Sequence, residues 1–357
     1  MLISVQAMPP EPPVQCNKNG CNLYNSYGVW GDRKDCHVQN VTYPTTEEEL
    51  RLAVAYEIRT SSKSKLLRRL IDAVEEAGLS LVAAPYWEGV SVGGLVSTGA
   101  HGSSWWGKGG AVHDHIVGLS LIVPAKQSEG FAKIVKLEPK DQIFNAAKVS
   151  LGLLGVISRY DNRVPLNASG DGTYDFLGFQ SNSILISKSI RATEKTMDNG
   201  RSLGGKCTMA ASVLGNISSI KIGDFIRDVK KLRDLKPDNF CGVDIYNGFL
   251  IRFIRASEAY LGQPEDSVVV DFNYFRADDA LTPRFNQDVW EEVEQLAFFK
   301  YGAKPHWAKN RNLAFLDVQK KYPNFNKFVA VKRQLDPQNL FSSGGLMRLY
   351  WERGCEE

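Results

Sequence analysis

The residues best suited to chemistry lie between Glu88 and His115, where eight of 28 residues are glycine, with four serines and one threonine among them. Glycine lets backbone N–H groups come close to a ligand and accept positive φ, and small hydroxyls add donors without bulk. Such a loop suits a polyanionic cofactor whose pyrophosphate is held by converging backbone donors. Its spacing matches neither common phosphate fingerprint. There is no Gly-x-x-x-x-Gly-Lys-Ser/Thr, and Gly89, Gly93, Gly94 and Gly99 do not make Gly-x-Gly-x-x-Gly opening a helix.

A rival pattern overlaps it. Gly89-Val-Ser-Val-Gly93 fits the Gly-x-Ser-x-Gly of a hydrolase nucleophile elbow, which would make Ser91 a nucleophile. An elbow turns straight into a helix, and the glycines at 93, 94, 99 and 102 argue against a helix here. At the end of the block, His113 and His115 would share a face of a strand, as two metal ligands do; no third ligand is placed by the sequence, so a structural role is expected. His306 stands beside Trp307 and Lys309 and just after Gly302 and Pro305, which favours a functional histidine over a core one. Arg252 is either a charge on a strand surface or a substrate ligand. The acidic groups Glu47–Glu49 and Glu291–Glu294 read as helix caps and faces.

The elements that must carry these groups alternate. Pro44 to Leu50 opens a helix, with Thr45 or Thr46 as cap and Glu48 or Glu49 three residues on. Leu66, Leu67, Leu70, Ile71 and Val74 have helical spacing up to Gly78, and Leu79–Ala84 reads as a strand leading into the glycine block. Strands are expected at Ile116–Val123 and Lys133–Leu137, a helix at Asp141–Leu151, and a turn into a strand at Gly152–Ser158. Beyond Asn162, helices at Gly223–Leu235 and Gln287–Lys300 flank strands at Cys241–Phe253 and Ser267–Phe275, while Ala192–Ser219 reads as a long loop. This order argues for a layered α/β or α+β fold. Three parts are expected: an N-terminal cysteine-containing segment (1–40), a cofactor domain (41–161) and a substrate domain (162–357).

The bulk properties exclude some classes. A net charge of +3 over 357 residues leaves no basic footprint for nucleic acid. No apolar run approaches the roughly 20 residues of a membrane helix. Cys16, Cys21 and Cys36 lack a nearby fourth ligand for zinc, so a disulfide between two of them is the better reading if the chain is exported. Sequons at Asn40, Asn167 and Asn216 point the same way. The opening Met1-Leu-Ile-Ser-Val-Gln-Ala7 is too short for a signal peptide, so either the chain is not exported or its true start is missing.

From Pro85-Tyr-Trp-Glu88 through Val123-Pro-Ala125, the chain resembles the plant L-gulonolactone oxidase group, flavoproteins with the vanillyl-alcohol-oxidase type of FAD fold. Leu151-Gly-Leu-Leu-Gly-Val-Ile157, Lys304-Pro-His-Trp-Ala-Lys309 and Leu335-Asp-Pro-Gln-Asn-Leu-Phe341 resemble further segments of that family. The resemblance implies an α+β architecture: a two-lobed FAD-binding domain and an arabinonolactone-oxidase type cap over the sugar-lactone pocket. It implies cofactor contacts from Gly93, Gly94, Ser97, Thr98, Gly99, His101, Gly102 and Ser103, and backbone contacts from Gly155 and Ile157. It places His306 and Lys309 at the flavin, with Lys309 stabilising reduced-flavin charge, and keeps Arg252 as the substrate arginine. His306 is then the first candidate for the base. Oxygen or another electron acceptor would reoxidise the flavin. The family also implies a secreted or membrane-associated location, including peripheral attachment to a membrane.

The chain departs from the family pattern in four places. Tyr56 runs almost directly into the Leu66 helix, so most of the first FAD lobe is missing. Further gaps are expected after Ser158 and near Asn216. Leu250 stands where the family has a carboxylate two residues before the arginine. A shortened chain of this kind is either a working lactone oxidase, a flavin oxidase for another lactone or polyol, or an inactive flavin-free remnant.

Overall fold

The computed structural model describes residues 14–23, 36–38, 43–56, 91–103, 110–162, 209–237, 245–275, 287–308 and 312–342, with Val74 and Glu76. It begins with a hairpin of β1 (Val14–Asn17) and β2 (Gly20–Leu23), to which β3 (Cys36–Val38) adds. Cys16 lies opposite Cys21 across the hairpin and the two form a disulfide, the pairing left open by the sequence.

Helix α1 (Glu47–Tyr56) starts where its caps require. Thr46 Oγ1 accepts from the Glu49 N–H at 3.1 Å, and Glu49 Oε2 accepts from the N–H groups of Thr46 at 3.1 Å and Thr45 at 2.7 Å. Leu50 and Val54, one turn apart, pack on Ile122 and Ala132. Burying two such side chains contributes about 3–6 kcal/mol before the entropy of ordering them.

A second short helix, α2 (Val92–Ser97), leads to the antiparallel sheet of β4 (Ile116–Pro124), β5 (Ala132–Leu137) and, after α3 (Phe144–Ala147), β6 (Val156–Asn162). β4 is the central strand and is buried on both faces. Ile122 faces α1, while Leu119, Leu121 and Val123 join the main core with Phe144, Leu153 and Leu154.

The second antiparallel sheet has the order β7–β9–β8, from β7 (Met209–Ser218), β8 (Ile245–Ile254) and β9 (Ser267–Phe275), with α4 (Ile222–Leu235) between β7 and β8. α5 (Gln287–Gln295) continues into a wider π turn at Leu296–Lys300. Asp228 on α4 accepts from Lys300 and the Tyr301 hydroxyl, each at 2.5 Å, which ties α4 to that turn. These hydrogen bonds hold the Asp228 carboxyl well below its usual range. The short α6 (Val318–Lys321) and α7 (Phe325–Leu335) complete the core with the fully buried Tyr322 and Phe328.

Several expectations need correction. The segment 92–97 is helical despite Gly93 and Gly94. Ser91 caps it, and Val92, Leu95 and Val96 are buried, which outweighs the roughly 1 kcal/mol per glycine lost in propensity. The helix expected over 141–151 shortens to 144–147, because the Leu151 N–H is drawn to the Ser97 carbonyl at 3.0 Å and Leu151 and Gly152 take positive φ. Residues 209–218, read as loop, pair with β9 along their length. His113–His115 lie on a 3-10 turn (Val112–His115) rather than a strand. Ser158 sits inside β6, and Asn216 inside β7 just past a register shift at Leu214. The Leu66 helix (apart from Val74), the Leu79–Ala84 strand, and Cys207, Cys241 and Cys355 lie outside the described residues.

Candidate active site

Ser91 is the first residue of the glycine block whose role the geometry decides. Its backbone is extended, with φ −75 and ψ 141, and its Oγ accepts from the Gly94 N–H at 3.2 Å. A nucleophile elbow needs a strained backbone and an outward hydroxyl; Ser91 is a helix cap.

Beyond the cap, α2 turns the chain toward the second sheet. The Thr98 hydroxyl donates to the Gly94 carbonyl at 2.9 Å, and Gly99 reverses the path with φ +69. His101 then pairs with Ala111 as an isolated bridge and is buried. Ser103 Oγ accepts from the Phe253 N–H at 3.1 Å, so β8 grips the block directly. Gly110 makes this fit possible: a Cβ there would lie 2.7 Å from the Arg255 nitrogen and 2.8 Å from the Ile254 Cα.

Arg252 is buried at this junction. It forms an ion pair with Asp271 on β9 and donates from Nη1 to the His101 carbonyl at 3.4 Å. Arg252 pairs in register with Val269, and Asp271 with Leu250, so the ion pair is a diagonal contact on one face of the sheet. The sequence showed the arginine as lacking a carboxylate on its own strand; the adjacent strand supplies one. No signal in the sequence marks Asp271, which sits in an alternating strand like any other residue.

A cavity partly open to solvent is lined from both sides of this junction. Thr98, Gly99, His101 and His113 reach it from the block, and His306 and Trp307 from the C-terminal half. The His101 and His306 ring centres are 5.3 Å apart. Trp307 is held by its indole N–H on the Leu261 carbonyl at 2.8 Å and by stacking on Tyr322 at 5.0 Å.

The imidazoles carry defined protons. His101 Nδ1 lies 2.9 Å from the Gly102 carbonyl, which only accepts, so Nδ1 is the protonated nitrogen. His306 Nδ1 accepts from the Ala308 N–H at 3.1 Å, so its own proton sits on Nε2. Burial pushes the pKa of His113 down, and that of His115 likewise.

Thr98, Gly99, His101 and His306 therefore meet at one place. Gly93, Gly94 and Ser97 build the helix behind it, and Gly102 and Ser103 pack toward β8. Gly155 and Ile157 do not line the cavity. Gly155 has φ +142, and a Cβ there would sit 2.6 Å from the Ile122 carbonyl oxygen; Ile157 pairs with Leu121. Lys309 lies outside the described residues. Among the described residues no group of three or more His, Cys, Asp or Glu side chains is arranged to hold a metal, and no helix is long and apolar enough to cross a membrane.

A family model described as D-arabinono-1,4-lactone oxidase matches residues 221–349. L-gulonolactone oxidase 3 of Arabidopsis thaliana is 43% identical over 503 residues, covering 95% of this chain and 86% of the relative. L-gulonolactone oxidase 2 of the same plant is 32% identical, with 96% and 86% covered. The 503-residue span exceeds the 357 residues of the chain, so the chain lacks internal segments that the relative carries. A probable truncated L-gulonolactone oxidase 7 of Arabidopsis thaliana is 47% identical over 123 residues, covering 34% of this chain and 49% of the relative. Among solved structures, cholesterol oxidase from Brevibacterium sterolicum superposes with a TM-score of 0.60 at 10% identity, covering 95% of this chain and 99% of that one. A solvent-stable cholesterol oxidase gives 0.57 at 13% identity, with 80% of each chain covered. At such identities the likeness speaks for the fold, and it agrees with the expected α+β architecture.

Proposed function

The chain belongs to the L-gulonolactone oxidase family, and from that membership we propose that it oxidises an aldono-1,4-lactone, first of all L-gulono-1,4-lactone, towards L-ascorbate with FAD as cofactor. The observation that carries this reading is the cavity where the glycine block meets His306 and Trp307. The residues present fit the ring end of a flavin. Gly99 brings no side chain to the cavity, and Thr98 and three imidazoles, His101, His113 and His306, line it.

When bound, the flavin supplies the acceptor for the hydride that leaves the substrate carbon. The chain's own residues hold the substrate and move its proton. His101, which donates from Nδ1 to the Gly102 carbonyl, is proposed as the base that takes the proton of a substrate hydroxyl. His306 presents Nε2–H as a donor and holds an oxygen of the substrate. The base role expected for His306 thus passes to His101. Arg252 positions His101 through its carbonyl, and Trp307 keeps water from one wall. Lys309 is proposed, from the family resemblance, to stabilise the charge of the reduced flavin. Oxygen or another acceptor completes the cycle.

The division into a cofactor domain (41–161) and a substrate domain (162–357) is proposed on the same grounds. An exported or membrane-associated chain is supported by the Cys16–Cys21 disulfide, which persists in oxidising compartments. A second reading rests on the missing internal segments: an inactive, flavin-free family member. The visible spectrum of purified, desalted protein separates the two. A flavin spectrum bleached by L-gulono-1,4-lactone supports the oxidase. Protein that stays colourless after FAD is added removes it. Comparing L-galactono-1,4-lactone and simple polyols in the same assay assigns the substrate.

A further inference from the structure

The proton positions around Ser257 fix the state of a second histidine in the cavity. The Ser257 hydroxyl donates to Asp114 Oδ1 at 2.6 Å, which uses its only proton. His113 Nε2 lies 3.0 Å from the same hydroxyl oxygen, so it must donate, and Nε2 is the protonated nitrogen. The Asp114 carboxylate at 3.5 Å favours the same arrangement. The Ser257 oxygen also accepts from the Ala259 N–H at 3.2 Å, which leaves it no freedom to turn. His113 is buried to 2% exposure, and burial favours its neutral form. Its Nδ1 is therefore a bare lone pair, and no hydrogen-bond partner reaches it.

A second buried acceptor shares this condition. Gln263 lines the same cavity, and its side-chain oxygen has no partner. A buried acceptor left unpaired costs on the order of 1–3 kcal/mol, so two of them on residues that line one cavity call for a donor. Ser257 and Gln263 belong to the stretch matched by the arabinonolactone-oxidase model, while His113 belongs to the glycine block, so the pair spans the junction.

We propose that His113 Nδ1 and Gln263 Oε1 form an acceptor pair that reads hydrogen-bond donors on the bound ligand. Two ligands of the proposed reaction carry such donors: the ring hydroxyls of a sugar lactone and the imide N–H of the flavin ring. The pair discriminates against a ligand without donors, because such a ligand would seal both acceptors in unpaired. This proposal rests on the lactone-oxidase reading only for the identity of these two ligands.

The chain has five histidines, so nitrogen NMR of protein labelled with 15N-histidine is tractable, with His113 assigned by its loss in His113→Asn. The free protein is expected to show His113 as the neutral Nε2–H tautomer near neutral pH. FAD alone, L-gulono-1,4-lactone alone and γ-butyrolactone, which has no hydroxyl, are then added separately. The Nδ1 resonance moves upfield with whichever of the first two donates to it and stays in place with γ-butyrolactone. Gln263→Met, which leaves the Ser257 network untouched, weakens that same ligand roughly ten-fold. A charged or Nδ1–H His113, a resonance unmoved by FAD and lactone, or an equal response to γ-butyrolactone overturns the proposal. Bleaching of flavin by lactone with an unmoved His113 overturns it and leaves the oxidase standing. A moved His113 without bleaching supports it and removes the oxidase.

Discussion

Replacing Asp271 with alanine tests whether the junction depends on the buried ion pair. Asp271 is 1% exposed and Arg252 is 6% exposed, so the substitution leaves a guanidinium buried without its carboxylate. The His101 carbonyl at 3.4 Å is a long contact and does not replace it. Breaking such a pair costs about 3–5 kcal/mol, whereas exchanging both partners for apolar side chains of similar volume is often close to neutral. Asp271→Ala is therefore expected to lower stability by about 3–5 kcal/mol in urea unfolding, and Arg252→Met with Asp271→Leu by less than the single change. The double variant keeps the sheet but loses the donor to His101, so its cavity should bind ligand more weakly. A loss below about 1 kcal/mol for Asp271→Ala, or a double variant less stable than the single one, refutes the argument that an unpaired buried charge sets the cost.

Three further outcomes follow from the geometry. Gly155→Ala should cost more than about 2 kcal/mol in the same assay, since its Cβ meets the Ile122 backbone oxygen at 2.6 Å with φ +142; Gly152→Ala, with φ +72 and nothing within 4 Å, should cost only about 1 kcal/mol, and equal costs would contradict the clash. Lys321, which donates to the Phe298 and Ala303 carbonyls, has its pKa lowered to about 8 from 10.5 by burial. The unfolded chain binds more protons in that window, so stability should rise as pH climbs from about 8 to 10.5, and a Lys321→Gln variant should lack the rise. His113 follows the same sign at lower pH. Its folded pKa lies below 6.5, so the stability it contributes is present above 6.5 and is lost as pH falls below that value; melting curves of His113→Gln should show a shallower acid slope.

Local chemistry made several features legible in the residues alone. The Thr46–Glu49 capping box, the strands at 116–124 and 132–137, the amphipathic helices at 222–235 and 287–295 and the turn at Gly152 follow from spacing and side-chain type. The glycine block and His306 were likewise recognisable as candidate site residues. The shape of the block was not. Glycine's poor propensity suggested a loop over 92–97, but three buried side chains and a serine cap outweigh it, and burial is a property of the neighbours. The strand at 209–218 has too little alternation to announce itself and forms because β9 offers a partner.

The sequence by itself determined which groups the chain can bring to a reaction: imidazoles, small hydroxyls, a glycine-lined backbone and an arginine whose charge must be met. Only the tertiary structure decided how they are used. Asp271 meets the arginine from another strand, because register and not proximity in the chain sets diagonal contacts. Carbonyl, hydroxyl and amide neighbours brought in by folding determine which nitrogen of His101, His113 and His306 carries the proton. A side chain's type states what it can donate or accept; its partners, close along the chain for His101 and His306 and distant in sequence for His113, state which it does.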